Sequence, residues 1–377
     1  MTNQFDEKRR TFDAGKIWVI KIGSSLLTKD GEGLATDLVS DWVGQVAELK
    51  RSGIQVVLVS SGAVAEGMSR LKMKKRPVSV QLLQAAAAVG QMGLIQAYES
   101  KFQNYGLHTA QVLLTHDDLR SRERYINARG TLNNLLELGV IPVVNENDTV
   151  VTDEIRFGDN DRLAALVSNL IGANTLLLLT DQVGVLSADP KGNENAQLIE
   201  VTTANDSDLD AMAGEGSAMG RGGMVTKISA ARIASRSGAN TVIASGIAPQ
   251  VISRLGKGEV CGTLLLADKE VLVSRKQWLA ALTASGEITL DAGAVQVLQK
   301  EGRSLLPVGV KSVKGRFTRG ELVSCVNTSG VEIARGLINY SHTETSLICG
   351  RSSSEIETIL GYAGEEEMIH RDNLVVV

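Results

Sequence analysis

The 377-residue chain is poor in several things that would otherwise declare its class. Its three cysteines, Cys261, Cys325 and Cys349, are widely spaced and never form a C-x-x-C pair. Such dispersal excludes a disulfide framework or a cysteine-built zinc site and fits a reducing, cytoplasmic compartment. The four histidines (His108, His116, His342, His370) stand in no metal-ligand spacing. The first ten residues are polar and charged, without the apolar stretch of a secretory leader. The longest apolar runs, such as 85–89 and 176–179, fall far below the roughly 18 residues needed to cross a bilayer, so no membrane role is expected. Five prolines and no biased tract exclude a disordered or fibrous chain. Charge of one sign is also lacking: 39 Lys plus Arg face 43 Asp plus Glu. A net charge of −4 argues against coating nucleic acid or an anionic membrane. What remains is an ordinary globular composition, 43% apolar and 22% charged, with length enough for two domains.

Over the first two thirds, short apolar runs alternate with helical patterns. Strands are expected at 17–22, 54–59, 109–114, 140–144, 175–180 and 241–244. Helices are expected at 35–51, 80–102, 125–138 and 161–170, and again after Gly223. Doubly buried strands separated by helices make an α/β fold with an open, mostly parallel sheet sandwiched by helices. Ligands of such sheets bind beyond the carboxyl ends of the strands. Five of those ends carry small or polar residues: 23–25 (GSS), 60–63 (SSGA), 145–148 (NEND), 180–181 (TD) and 245–246 (SG). From about 264 the texture changes. A last strand at 264–268 and a junction give way to a small, mainly β module with β-prone runs at 305–310, 322–326 and 331–338. The expected organisation is an N-terminal tail (1–15), a large domain (16–268), a linker (269–285), the small module (286–364) and a C-terminal tail (365–377).

The clearest glycine-rich segment is GRGGMVTK at 220–227, running into a helical pattern. Glycines at a helix entry let backbone amides approach a phosphate, and the helix N-terminus favours negative charge. Lys227 lies one turn in, within reach of a terminal phosphate; a flexible surface loop is the plain alternative. Lys21 stands inside an apolar strand, where burying an unpaired ammonium is costly. It either snorkels to water or aims at phosphate oxygens over the sheet. The acidic set is Asp148, Asp159, Asp161 and Asp181. Carboxylates and amides at these positions suit Mg²⁺ held partly by water, or a substrate amine; helix capping is the ordinary duty of Asp159, Asn160 and Asp161. No histidine, cysteine or tyrosine joins these strand-end clusters. A carboxylate acceptor needs no base, because it is already ionised at neutral pH. Lysines, acids and phosphate-binding backbone without a base therefore fit phosphoryl transfer to a carboxylate, where positioned cations relieve the repulsion between two anions.

Six segments appear in order: 21–25 (KIGSS), 59–63 (VSSGA), 145–148 (NEND), 158–161 (GDND), 180–184 (TDQVG) with 188–190 (ADP), and 222–227 (GGMVTK). Together they resemble the amino-acid kinase family. The segments 290–295 (LDAGAV) and 304–310 (SLLPVGV) resemble a C-terminal PUA domain. Within the family, the resemblance implies ATP-dependent phosphorylation of the side-chain carboxylate of L-glutamate to L-glutamyl 5-phosphate, the first step of proline biosynthesis. It also implies Mg²⁺ carried mainly by ATP, inhibition by proline, a homo-oligomer (tetramer or dimer) and contact with the next enzyme of proline synthesis. Carried over residue by residue, Lys21 and Lys227 would stabilise the transferring phosphoryl group, and Asp161 would organise them. Ser61, Asp148 and Asn160 would hold glutamate. Thr180, Asp181 and the loop Arg221, Gly222, Gly223, Met224, Val225, Thr226 and Lys227 would hold ATP together with Lys21. Arg221 departs from the family, whose members often carry threonine there.

Two other readings compete. One is a different acceptor within the same fold, such as acetylglutamate, aspartate, carbamate or uridylate. The other is an RNA-binding protein, since PUA domains often bind RNA. Residues 276–377 hold 10 Lys plus Arg against 12 Asp plus Glu, with Trp278, Phe317, Tyr340 and Tyr362 scattered. That tail offers neither the basic surface nor the aromatic cluster on which RNA binding leans, so RNA is not expected as a partner.

Overall fold

The computed structural model describes residues 15–28, 33–151, 160–188, 193, 195–213, 223–259, 261–268 and 283–376. Arg221, Gly222, Asp159, nearly all of the expected N-terminal tail and most of the expected linker lie outside the described residues. The chain divides into two compact units, one of 1–119 with 129–271, the other of 120–128 with 272–377.

The larger unit is built on an eight-stranded sheet. Its strands are β1 (Ile17–Ile22), β2 (Gln55–Val59), β3 (Thr109–Leu114), β4 (Ile141–Glu146), β5 (Thr175–Thr180), β6 (Val201–Thr203), β7 (Asn240–Ser245) and β8 (Thr263–Leu266), in the spatial order β3-β4-β2-β1-β5-β7-β8-β6. β1 is central and runs parallel to both neighbours, β2 and β5. Its Trp18, Val19 and Ile20 are buried, which is why this strand reads as an apolar run rather than an alternation. The parallel pattern breaks at one edge, where β8 pairs antiparallel with β7 and carries β6 parallel to itself. Strand direction leaves no mark in composition, and the three residues of β6 are too few for periodicity to register. After β4 the chain crosses from one side of β1 to the other, so the strand order turns at the middle of the sheet. That reversal opens a crevice above the carboxyl ends of β1, β2 and β5.

The longer helices are α1 (Thr36–Arg51), α2 (Ala63–Arg70), α3 (Val80–Phe102), α4 (Arg122–Glu137), α5 (Asp161–Ile171) and α6 (Met224–Ser235). α2 starts immediately after the β2 end through Gly62, whose φ of 91° suits glycine and disfavours other residues. α2 and α3 cross at two glycines. A Cβ on Gly90 would come 1.8 Å from the Ala63 carbonyl oxygen, and one on Gly67 1.7 Å from that of Ala86. This contact seats α3 firmly beside the ends of β2 and β4. Beneath lies a core of Trp18, Ile20, Trp42, Leu58, Leu94, Tyr98 and Phe102. Trp42 satisfies its buried indole N–H by donating to the Gly246 carbonyl at 2.9 Å.

The smaller unit holds a five-stranded mixed sheet of β9 (Gly286–Leu290), β10 (Val310–Gly315), β11 (Leu322–Val326), β12 (Glu332–Leu337) and β13 (Leu374–Val376), ordered β10-β9-β11-β12-β13. Its core gathers Ile288, Leu290, Phe317, Val323, Cys325, Tyr340 and Ile369. The run 305–310, expected as extended, instead ends in a short 3-10 turn at Pro307–Gly309 before β10; proline pre-sets such a turn and cannot donate to a ladder. Two segments depart further from expectation. Residues 292–301 form a helix, α7 (Ala292–Glu301), capped by Asp291 accepting from the Ala294 N–H. The expected tail 365–377 supplies β13, which pairs antiparallel with β12. The side chains of Met368, Ile369, Leu374 and Val375 are buried there, so apolar burial holds this segment in the sheet.

Candidate active site

Four strand ends and two helix starts converge in the larger unit. At the end of β1, Lys21 is buried, and its Nζ lies 2.5 Å from Asp161 Oδ1. Lys227, one turn into α6, places its Nζ 3.0 Å from the other carboxylate oxygen. Thr226 Oγ has two acceptors for its one proton, that same oxygen at 3.1 Å and the Gly223 carbonyl at 2.8 Å. Two lysines 206 positions apart in the chain thus share one buried carboxylate. Burial alone would raise the Asp161 pKa; the charges of Lys21 and Lys227, with their hydrogen bonds, outweigh it and hold the group well below the usual carboxylate range. The three side chains together carry a net charge of +1 in a place water hardly reaches. Such a surplus suits an incoming anion. Lys21 does not snorkel to water, because its counter-charge is inside.

Asn160 is the residue that precedes α5, yet its side chain makes no capping bond. Its Nδ2 donates instead to the Ser60 carbonyl at 2.8 Å and to Asn145 Oδ1 at 2.7 Å. Asn145 Nδ2 in turn donates to Gln91 Oε1 at 2.7 Å. The backbone N–H of Glu146 also donates to Asn145 Oδ1. The Ser60 hydroxyl bonds the phenol of Tyr98 at 3.2 Å, and burial pushes that phenol up to about 12. Ser61 is fully buried, its hydroxyl without a hydrogen-bond partner among the described residues, and Asp148 is buried in the loop after β4. A solvent-open cavity of about 220 Å³ is lined here by Ala87, Gln91, Met92, Glu146, Asp148 and Thr149, among others.

On the other side of β1, Thr180 ends β5, buried, with its hydroxyl donating to Asp181 Oδ1 at 3.0 Å. Gly223 precedes α6, and a Cβ there would meet none of the described residues within 4 Å. The first amides of a helix lack intrahelical acceptors, so this start offers backbone donors toward the crevice. Met224, Val225, Thr226 and Lys227 form its first turn. Among the described residues no group of three or more His, Cys, Asp and Glu side chains could hold a metal ion. Asp161, the most deeply buried acid, is occupied by two ammonium groups.

Sequence reasoning assigned no role to Gln91, and took Ser60 and Asn145 only as polar strand ends. A signal existed for Gln91. Ala87, Gln91, Leu94 and Tyr98 follow helical spacing on the buried side of α3, so an amide interrupts an otherwise apolar stripe.

The chain matches the model of the amino acid kinase family over residues 16–245 and that of the PUA domain over 286–360. It is 60% identical to the glutamate 5-kinase of Hahella chejuensis, over 96% of this chain and 94% of that protein. It is 57% identical to the glutamate 5-kinase of Saccharophagus degradans, over 98% of this chain and all of that one. The glutamate 5-kinase of Methylobacillus flagellatus is 60% identical over 96% of this chain and 98% of its own. No described helix is long and apolar enough to cross a membrane. With paired lysines over a parallel sheet, two family models in series and this degree of identity along nearly its whole length, the chain belongs to the amino acid kinase family, among its glutamate 5-kinases.

Proposed function

We propose that this chain transfers the γ-phosphoryl group of ATP to the side-chain carboxylate of L-glutamate, giving L-glutamyl 5-phosphate and ADP in the first step of proline biosynthesis. The observation that carries this reading is the pair Lys21 and Lys227 on the two oxygens of Asp161. A carboxylate oxygen of glutamate attacks the γ-phosphorus, the bond to the β,γ-bridging oxygen breaks, and ADP leaves with the electron pair. No proton moves at the acceptor, so no general base is required. The barrier lies in bringing two anions together, and fixed cations in a dry site lower it. Ionised Asp161 keeps both ammonium groups in place, and their two charges outweigh its one. Ser61, Asp148 and Asn160 hold glutamate; Thr180, Asp181 and the segment from Arg221 to Lys227 hold the nucleotide, with Lys21 at its terminal phosphate. Mg²⁺ comes with the nucleotide. The family kinship supports three further parts of the proposal: inhibition by proline, assembly into a homo-oligomer that can meet the next enzyme of the pathway, and work in the cytoplasm. It likewise supports a kinase domain at 16–268 and a PUA-like domain from 286, extended by the strand at 374–376.

The test is glutamate-dependent ADP release, with hydroxylamine trapping of the acyl phosphate as a hydroxamate, with and without proline. Hydroxamate formed from glutamate, and not from acetylglutamate, aspartate or carbamate, is the expected outcome. Turnover restricted to one of those other acceptors would replace the proposed substrate.

A further inference from the structure

Three neutral amides, Gln91, Asn145 and Asn160, form a relay whose direction is set by the backbone. A peptide N–H can only donate, so the atom of Asn145 that receives the Glu146 N–H is its oxygen. Asn145 therefore presents Nδ2 to Gln91, and the Gln91 atom that accepts from it must be Oε1. At the other end the Ser60 carbonyl can only accept, which turns Asn160 Nδ2 toward it and toward Asn145 Oδ1. No amide in the chain can flip without losing a bond. Both ends of the relay are left with an unused group. Asn160 keeps a buried acceptor, Oδ1, and Gln91 keeps a buried donor, Nε2, neither with a partner among the described residues. Gln91 is 8% exposed and lines the cavity. A buried donor left unsatisfied is costly, so one held in place by a backbone-locked relay needs an acceptor that comes and goes.

We infer that Gln91 Nε2 is the donor that receives the α-carboxylate of the amino-acid substrate, making Gln91 a specificity residue for that end of the molecule. The inference rests on the phosphotransfer reading, which places the reacting carboxylate at Lys21 on β1. Adjacent strands lie ~4.8 Å apart, so β4 stands roughly 10 Å along the sheet from β1, with β2 between. A five-carbon chain spans roughly 5 Å between its end carbons, and a hydrogen bond of roughly 2.9 Å at each end extends the reach between protein groups to roughly 10 Å or a little more. With one end at the β1 lysines, the other reaches over β2 to the groups above β4. There an ammonium can donate to Asn160 Oδ1, and the α-carboxylate can accept from Gln91.

Gln91→Glu separates this role from a merely structural one. The new side chain still offers Asn145 an oxygen but has no donor, and it adds a negative charge facing the α-carboxylate. Steady-state ADP release should show the glutamate KM raised by about 10- to 100-fold, with kcat and the ATP KM within about threefold. The rise should shrink as the pH is lowered toward 5, where the introduced carboxyl regains a proton to donate. Gln91→Met, uncharged and of similar length, guards against a fold lost to the new charge, and the same rise in KM is expected. A glutamate KM within twofold of wild type in Gln91→Glu, or in Gln91→Met should the first not fold, overturns the assignment of Gln91 while leaving the phosphotransfer reading intact. A wild type that releases no ADP with glutamate overturns that reading, and this inference with it.

Discussion

At the end of β1 the site is held by full charges, and two strands away, at the end of β4, by neutral amides. The first arrangement concentrates an excess of positive charge around one carboxylate, Asp161, and buries it. The second, Gln91–Asn145–Asn160, carries no charge and gains its definition from direction: Asn145 and Asn160 are each fixed by a backbone group that can only donate or only accept, and Asn145 fixes Gln91 in turn. The division matches what each end must do. Charge that builds up on a transferring phosphoryl group is met by fixed cations. A substrate that must be told from close relatives is met by donors and acceptors that a wrong ligand leaves unpaired.

The comparison can be broken at either end. The largest effect is expected from Asp161→Asn, which leaves two buried ammonium groups without their counter-charge. Loss of one partner from a buried ionic group costs about 3–5 kcal/mol, readable as a lower midpoint in urea denaturation. The sign of the pH dependence follows from the depressed pKa of Asp161. Its contribution is present above the unfolded value of about 4 and is lost as pH falls toward the folded one. The stability gap between wild type and Asp161→Asn should therefore stay level from pH 5 to neutrality and narrow below about pH 4. A gap that widens in acid would mean that the lysines do not stabilise the ionised form.

A smaller effect, at the amide end, is expected from Gly90→Ala. Its Cβ would meet the Ala63 carbonyl at 1.8 Å and the Gly67 nitrogen at 2.3 Å, so α3 must move. Overpacking of this kind costs about 1–3 kcal/mol. Because Gln91 is the next residue, the displacement should also raise the glutamate KM more than it lowers kcat. Unchanged stability and KM would show that the α2–α3 crossing has slack.

The two ends also differ in how far they could be read from sequence. Lys21 stands out because an ammonium in an apolar strand needs a reason, and Lys227 because glycines precede it at a helix entry. Their meeting at Asp161 is a long-range fact that no local pattern carries, and Asp161 by itself reads as an ordinary helix-start residue. The parallel sheet was legible from strands that are apolar throughout, such as 175–180. The antiparallel β8 and the short β6 were not, because direction and three-residue strands have no periodic signature. The amide relay was least legible. Asparagine at a strand end and glutamine in an alanine-rich helix are both common, and only hydrogen-bond direction makes them a unit. β13 was hidden for a different reason: three residues near the end of the chain become a strand only because β12 offers them an edge.

The claim on which the rest depends is that Lys21 and Lys227 act together on the group in transit. It is tested most directly by the single-turnover rate of phosphoryl transfer, with ATP and glutamate saturating, in Lys227→Ala against wild type. The account predicts a loss on the order of 10²- to 10³-fold, as for removal of one preorganised donor. A Lys227→Ala enzyme that transfers the phosphoryl group at the wild-type rate would contradict it.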